Sequence, residues 1–217
     1  MTNIKRQVVN ELHRYARVNF PRRRVIVKGL WDLFQADLVE VIPYARTNKG
    51  MKYILVVINV FSKFVYARAV KNKTGKEVTN AMASILQSLP RPPKNLQTDL
   101  GKEFYNKYFD ELMKKYAINH YSSYSNLKSS VVERVNRTLK SLMWREFSFR
   151  GNYKWIDILQ EIVDKYNSTK HSTTGYKPVD VDEKIEERLL KTVYSNLKII
   201  DPKTTKFSVG DHVRVSK

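Results

Sequence analysis

The alternation of apolar and polar positions along the chain predicts a sheet of strands flanked by helices. Three runs rich in β-branched and aromatic residues, at 33–41, 51–60 and 64–70, are typical of strands joined in an antiparallel meander. Two shorter strands are predicted at 94–99 and 118–124. Apolar residues at three- and four-residue spacing predict helices at 74–89, 105–117, 129–147, 154–167 and 181–194. This order of elements predicts an α/β fold with a mixed five-stranded sheet.

Changes in composition divide the chain into three predicted parts. Residues 1–30 form a basic arm, residues 31–178 form the core, and residues 179–217 form a charged connector helix and the opening of a small, incomplete β-domain. The arm ends in a run of three arginines, Arg22, Arg23 and Arg24. Such a run is typical either of a solvated tail or of a segment that follows a phosphate backbone, and both interpretations stay open.

The excess of positive charge indicates the class of binding partner. Forty Lys and Arg residues oppose 21 Asp and Glu residues, which gives a formal net charge of +19. A surplus of this size predicts a polyanionic partner, nucleic acid first and an anionic membrane second. No apolar run approaches the ~18–20 residues of a membrane span, so no membrane-spanning segment is expected. DNA, and no membrane, is the expected partner. The absence of cysteine excludes a disulfide framework and a cysteine nucleophile within these residues.

Three acidic residues are candidates for chemistry. Asp37 lies in the middle of an apolar strand, where an unpaired carboxylate costs several kcal/mol. Asp99 lies at the end of the predicted strand 94–99, and Glu133 lies near the start of the long helix. Each also has an ordinary structural explanation: a buried ion pair, a turn or cap, and a solvated helix position, respectively.

The long helix favours the chemical interpretation. Glu133, Asn136, Arg137 and Lys140 share one helical face, separate from the apolar face of the same helix. A carboxylate beside cationic and amide groups suits a place where metal ions meet a phosphate backbone. The alternative is a simple ion pair between Glu133 and Arg137, worth only ~0.3–0.5 kcal/mol. Two or three carboxylates are enough to hold a pair of Mg²⁺ ions for phosphodiester chemistry.

The motifs together resemble the integrase core of the retroviral and Polinton/Maverick type, closest to the latter. The segments that carry the resemblance are FQADLVEV (34–41), KYILVVINVFSKFVYARAVKNKTG (52–75), LQTDLGKEFYN (96–106), SSVVERVNRTLK (129–140), YNSTKHSTTGYKP (166–178) and KFSVGDHVRV (206–215). The resemblance implies an RNase H-like core followed by an SH3-like or chromodomain-like domain. It also implies that Asp37, Asp99 and Glu133 form a catalytic triad that binds two Mg²⁺ or Mn²⁺ ions.

The resemblance implies a DNA integrase or transposase of a mobile element or integrated virus. Such an enzyme processes the 3′ ends of element DNA and joins them to target DNA, acts as a multimer and works in the nucleus, with a virion as a further location for a virus-like element. Residues implied to approach double-stranded DNA are Asn136, Arg137 and Lys140 on the helix, and Tyr124, Lys128 and Ser129 on the loop before it. Two alternatives stay open: a domesticated relative that only binds DNA, and an RNase H-like nuclease.

Overall fold

A mixed five-stranded sheet forms the centre of the protein. The computed structural model describes residues 25–122 and 130–195. The strands are β1 (Leu33–Glu40), β2 (Tyr53–Asn59), β3 (Val65–Val70), β4 (Asn95–Thr98) and β5 (Asn119–Ser122), in the spatial order β3-β2-β1-β4-β5. The first three strands pair antiparallel, whereas β4 pairs parallel with both β1 and β5. The predicted mixed sheet is confirmed.

Five α-helices flank this sheet in the described part of the chain. They are α1 (Gly75–Ser88), α2 (Lys107–Lys115), α3 (Ser130–Arg150), α4 (Leu159–Asn167) and α5 (Glu183–Thr192), with short 3₁₀ helices at Ile42–Thr47 and Pro178–Asp180. The Thr74 hydroxyl caps α1 by accepting the N–H of Glu77, as a Thr before a helical pattern indicates. None of the helices in residues 25–122 and 130–195 combines the length and apolar character needed to cross a membrane.

One helix begins later than its pattern predicts. The apolar spacing predicts a helix from 154, but α4 starts at Leu159. The side-chain oxygen of Asn48 accepts the backbone N–H groups of Trp155 (2.7 Å) and Ile156 (3.0 Å). Because Asn48 is itself buried, these bonds fix the segment as a turn and leave the helix to begin after it.

The sheet is buried on both faces, which explains why its central strands lack alternation. Along β2, Ile54, Val56 and Ile58 pack against α3 and α4, whereas Leu55 and Val57 pack against α1 and α2. A strand covered on both sides reads as a continuous apolar run. The polar residues that remain in these strands therefore need specific partners.

Segments at both borders of the predicted core pack onto it. Val27 and Leu30 form a third apolar cluster with Val60, Phe61 and Leu189 of α5. The carboxylate of Glu186 in α5 also accepts the N–H of Leu30 at 3.0 Å. The end of the basic arm and the connector helix thus pack against the core. The predicted β-domain segment 206–215 lies outside the described residues.

Candidate active site

The sheet brings two of the predicted acids side by side. Gln35 of β1 pairs with Gln97 of β4 in a parallel register. This pair is the last of the register; continued by two residues, the register brings Asp37 level with Asp99, which directly follows β4 and whose charge acts on the pKa of Asp37. Neighbouring strands lie ~4.8 Å apart, and residues level with each other in two parallel strands point to the same face. The two carboxylates therefore share one face at the carboxyl end of β4, where α/β sheets present functional groups.

A buried glutamine attaches the helix that carries the third acid. The Gln35 side chain donates to Gln97 Oε1 at 2.8 Å, and its own oxygen accepts the N–H groups of Val131 (3.2 Å) and Val132 (3.1 Å). The first N–H groups of a helix have no partner within the helix, so this contact satisfies two of them. Glu133 follows immediately and lies in the first turn of α3.

Sequence reasoning did not identify the two glutamines as structural parts of the site. A signal was present, because each acid of the sheet is preceded two residues earlier by glutamine: Gln35 before Asp37, and Gln97 before Asp99. Both glutamines are buried, at 0% and 9% exposure. In an apolar strand, such a side chain needs a hydrogen-bond partner, and each provides one for the other.

Asn136 is the second contact between α3 and the acids. Its amide nitrogen donates to Asp37 Oδ2 at 2.7 Å, while the N–H of Leu38 donates to Asp37 Oδ1 at 2.8 Å. Asn136 is 8% exposed, so the helical face predicted to approach DNA divides into two parts. Asn136 turns toward the sheet and holds Asp37, whereas Glu133, Arg137 and Lys140 are exposed.

The three acids share one electrostatic environment. The pKa of Asp37 is raised from 3.8 to about 6. Burial is the largest cause, and the negative charges of Asp99 and Glu133 contribute to the rise. The hydrogen bonds from Leu38 and Asn136 act in the opposite direction. Like charges raise a carboxyl pKa only when they are near, so this coupling indicates that the three carboxylates lie in one region.

The carboxylates fit a divalent cation in their chemistry but do not form a closed set of ligands. Within residues 25–122 and 130–195, no group of three or more His, Cys, Asp or Glu side chains is arranged closely enough to hold a metal ion. Both oxygens of Asp37 are already hydrogen-bonded, and Asp99 Oδ1 accepts the N–H of Gly101 at 3.2 Å. Carboxylate oxygens are nevertheless the ligands that Mg²⁺ prefers.

An ion pair braces the loop that follows Asp99, and sequence reasoning missed it. Lys73 Nζ lies 2.9 Å from Glu103 Oε1, and Glu103 is only 6% exposed. This hydrogen bond is the largest cause that raises the pKa of Lys73, and the charge of Asp99 contributes to the same effect. A side chain at Gly101 would place its Cβ 2.5 Å from the Glu103 carboxylate, so the loop needs glycine there.

Six predicted DNA contacts cannot be placed. They lie outside the described residues and remain predictions: Arg22, Arg23, Arg24, Tyr124, Lys128 and Ser129. Of the placed candidates, Arg137 lines an open groove along α3 together with Arg134 and Arg145. This groove concentrates positive charge on the exposed side of the helix that carries Glu133.

Comparison with known sequences finds a family model and relatives that match the central part of the chain. Residues 32–125 match the model of the family described as Integrase core domain. The chain is 34% identical over 173 residues to a transposon-derived protein of Caenorhabditis elegans, a match that spans 80% of this chain and 58% of the relative. It is also 26% identical over 177 residues to the retrovirus-related Pol polyprotein of transposon 412 of Drosophila melanogaster, spanning 81% of this chain but 14% of the polyprotein.

Solved structures share the fold at low sequence identity. The chain superposes on a subunit of the simian T-cell lymphotropic virus intasome with a TM-score of 0.63 and 21% identity, covering 98% of this chain and 72% of that one. It superposes on the magnesium complex of the HTLV-2 integrase catalytic core domain with a TM-score of 0.59 and 22% identity, covering 71% and 99%. The predicted RNase H-like fold is confirmed. Residues 32–125 thus match the integrase core domain model, and the chain is similar over most of its length to transposon-derived and retrovirus-related proteins, of which it spans 58% and 14%.

Proposed function

We propose that the chain is a catalytically active DNA integrase or transposase of a mobile element or integrated virus. It would trim the 3′ ends of element DNA and join them to target DNA. The observation that carries the proposal is the set of contacts that joins the three elements bearing the acids: β1 pairs with β4 up to Gln35 and Gln97, and Asn136 of α3 donates to Asp37 at 2.7 Å. Burial that raises the pKa of Asp37 to about 6 supports the same proposal, because perturbed carboxyl groups cluster at functional sites.

Each part of the site would have a distinct task in that reaction. Asp37, Asp99 and Glu133 would hold two Mg²⁺ or Mn²⁺ ions, which in such sites activate the attacking oxygen and stabilise the leaving oxygen of a phosphodiester. Asn136 orients Asp37 through their 2.7 Å hydrogen bond. The exposed Arg137 and Lys140, one and two turns after Glu133, would neutralise phosphates of the bound DNA.

A strand-transfer assay with matched variants tests the proposal. We expect Asp37→Asn, Asp99→Asn and Glu133→Gln each to abolish joining of element ends to target DNA in Mg²⁺ or Mn²⁺, while DNA affinity stays close to that of the wild type. The control is Glu111→Gln, which removes one negative charge at an exposed position of α2 and should leave joining intact. Joining at the wild-type rate by any triad variant would refute the assignment.

The products of the same assay separate the alternatives. DNA that is nicked but never joined would favour an RNase H-like nuclease, and bound DNA without either product would favour a non-catalytic relative. Both outcomes contradict the proposal.

The proposal extends to the setting of the enzyme. We infer a self-associating protein that binds element ends and target DNA in the nucleus, from an element of the Polinton/Maverick type, with its arm, core and C-terminal part as separate functional regions. The large positive charge supports the DNA partner. Sedimentation analysis with and without duplex DNA tests the self-association, and a monomer under both conditions would contradict it.

A further inference from the structure

The turn between β2 and β3 buries a lysine. Lys63 is 7% exposed and has a left-handed backbone, with φ of 67°. Asn59 enforces the turn, because its side-chain oxygen accepts the N–H groups of Phe61 (2.9 Å) and Ser62 (3.1 Å). An ammonium group removed from water is costly unless an anion or several acceptors compensate. The position of Lys63 therefore needs an explanation.

The observed partners of Lys63 are uncharged. Its Nζ donates to the carbonyl of Val60 at 2.5 Å and lies 5.9 Å from the centre of the Tyr194 ring. Tyr194 is neutral, since burial raises its pKa to about 12, and its hydroxyl donates to the carbonyl of Phe61. None of the ion pairs among the described residues includes Lys63. A lysine has three donors, and the described residues supply a hydrogen-bond acceptor for one of them.

Two more basic side chains adjoin this lysine. Val131 of α3 packs into the apolar cluster that contains Val60, and Arg134 lies one helical turn later on the same side. His171 follows α4, whose last residue, Asn167, hydrogen-bonds to both the N–H (2.8 Å) and the C=O (2.9 Å) of Val65. The turn that carries Lys63 and the segment that carries His171 are thus fastened together.

The charges of these groups act on one another. Burial, and then the charges of Lys63 and Arg134, lower the pKa of His171 to about 4. Burial, and then the charge of Arg134, lower the pKa of Lys63 to about 8. No acidic group contributes to either change, so Lys63, Arg134 and His171 form a basic cluster in which no described carboxylate offsets the burial of Lys63 and His171. Such a cluster gains free energy when an anion binds.

We propose that Lys63, Arg134 and His171 form a phosphate-binding site, distinct from the three acids, that takes a backbone phosphate of DNA. Lys63 and Arg134 would each donate more than one hydrogen bond to the phosphate oxygens. The Nδ1 of His171 accepts the N–H of Thr173 at 3.1 Å, which leaves its Nε2 to donate to the ligand.

The surface next to the site suits a continuous DNA strand. Arg134 also lines the groove along α3, which extends past Arg137 and Ser141 to Arg145. Eleven residues of helix separate Arg134 from Arg145, a length of about 16 Å, which matches about five phosphates of one strand. A strand bound along this groove would pass beside Glu133 because Arg137, which also lines the groove, lies one helical turn after Glu133 on the same face. The choice of DNA as the ligand rests on the proposed function, whereas the phosphate site does not.

Nuclear magnetic resonance of His171 tests the site directly, with His171→Gln used to assign its signals. We expect inorganic phosphate and a short DNA duplex each to raise the pKa of His171 from about 4 toward its ordinary value of 6.5, because a bound anion favours the protonated ring. Chloride at the same ionic strength should leave it unchanged. A change with phosphate but not with DNA would overturn DNA as the ligand, and no change with either would overturn the site.

A pair of lysine variants separates this site from general charge effects. Lys63→Met and Lys49→Met each remove one charge from a lysine with left-handed backbone, but Lys49 is exposed. We expect Lys63→Met to weaken duplex binding about tenfold and to reduce the salt dependence by about one phosphate contact, with little change for Lys49→Met. Equal affinities for the two variants would overturn the proposal. Arg134→Gln on the exposed surface should repeat the loss without disturbing the fold.

The proposed catalytic function and the phosphate site can fail separately. The phosphate titration is repeated with Asp37→Asn, which should lack strand transfer but keep the response of His171. If the wild-type protein shows the phosphate response of His171 but never joins DNA, the proposed function alone is overturned.

Discussion

The raised pKa of Asp37 predicts that Asp37→Asn stabilises the metal-free protein. The folded-state pKa is about 6 against an ordinary value of 3.8, and a difference of one pH unit corresponds to ~1.4 kcal/mol. Keeping Asp37 charged at pH 7 therefore costs about 3 kcal/mol of folding free energy. An uncharged amide of the same size avoids that cost.

The hydrogen bonds around Asp37 can accommodate the amide. The oxygen of the new side chain can still accept the N–H of Leu38, but its NH₂ group would face the NH₂ group of Asn136. The Asn136 oxygen is buried and has no hydrogen-bond partner among the described residues. If the Asn136 amide rotates by half a turn, this oxygen accepts a hydrogen bond from the new NH₂ group at position 37. The number of hydrogen bonds is then unchanged, and we expect a net gain of about 1–3 kcal/mol.

The pH dependence provides the sharpest check. Because the folded-state pKa lies above the unfolded one, the cost of the charge is fully present above pH 6 and disappears as the pH falls toward 3.8. Denaturant unfolding in EDTA between pH 4 and pH 8 should show the advantage of Asp37→Asn at pH 7 and its loss near pH 4. Glu111→Gln, at an exposed position, is the control and should show no advantage. A variant less stable than the wild type at pH 7 would refute the reasoning.

Three further predictions concern the surroundings of the acids. Mg²⁺ should raise the thermal unfolding midpoint of the wild type but not of Asp37→Asn, since only the wild type offers the full set of carboxylates; equal shifts in both would contradict this. Gln35→Leu should lower the free energy of unfolding by about 2–4 kcal/mol, because Gln97 and two helix N–H groups lose their hydrogen-bond partner. In a double-mutant cycle, the combined variant with Gln97→Leu should lose less free energy of unfolding than the two single losses added together. Lys73→Met should reduce strand transfer more than DNA affinity, because it leaves Glu103 buried and unpaired. Adding Glu103→Gln to this variant should partly restore activity, whereas unchanged activity of Lys73→Met would contradict the role of the pair.

The main elements of the fold were predictable because each has a local pattern. Continuous apolar runs indicated the sheet strands, and a Thr before a periodic segment indicated the start of α1. The late start of α4 was not predictable in this way. Trp155 and Ile158 fit the helical period, but the residue that prevents the helix, Asn48, lies more than 100 positions earlier in the sequence. The periodicity of a segment gives no information about hydrogen bonds to residues so distant in the sequence.

The sequence singles out the acids of the candidate site but not the residues that support them. Asp37 and Asp99 stand out because carboxylates are rare within or directly after apolar strands. Gln35 and Gln97 become meaningful only when the register of β1 and β4 is known. The helical period placed Asn136 on one face with Glu133, Arg137 and Lys140, but the period cannot say which member of a face turns toward the sheet. Lys63 gave no signal because a lysine in a turn is ordinarily exposed.

The energetics of the site argue for a function that folding alone does not explain. The charge of Asp37 opposes folding at neutral pH, and the charges of Asp99 and Glu133 add to that opposition. Two hydrogen bonds, from Leu38 and Asn136, favour the charged form without cancelling its cost. An apolar residue in the same strand would stabilise the sheet with no such supports. The chain instead has a carboxylate at a position where its charge destabilises the fold and where two hydrogen bonds orient it. Such a group is expected where a protein acts on a charged ligand.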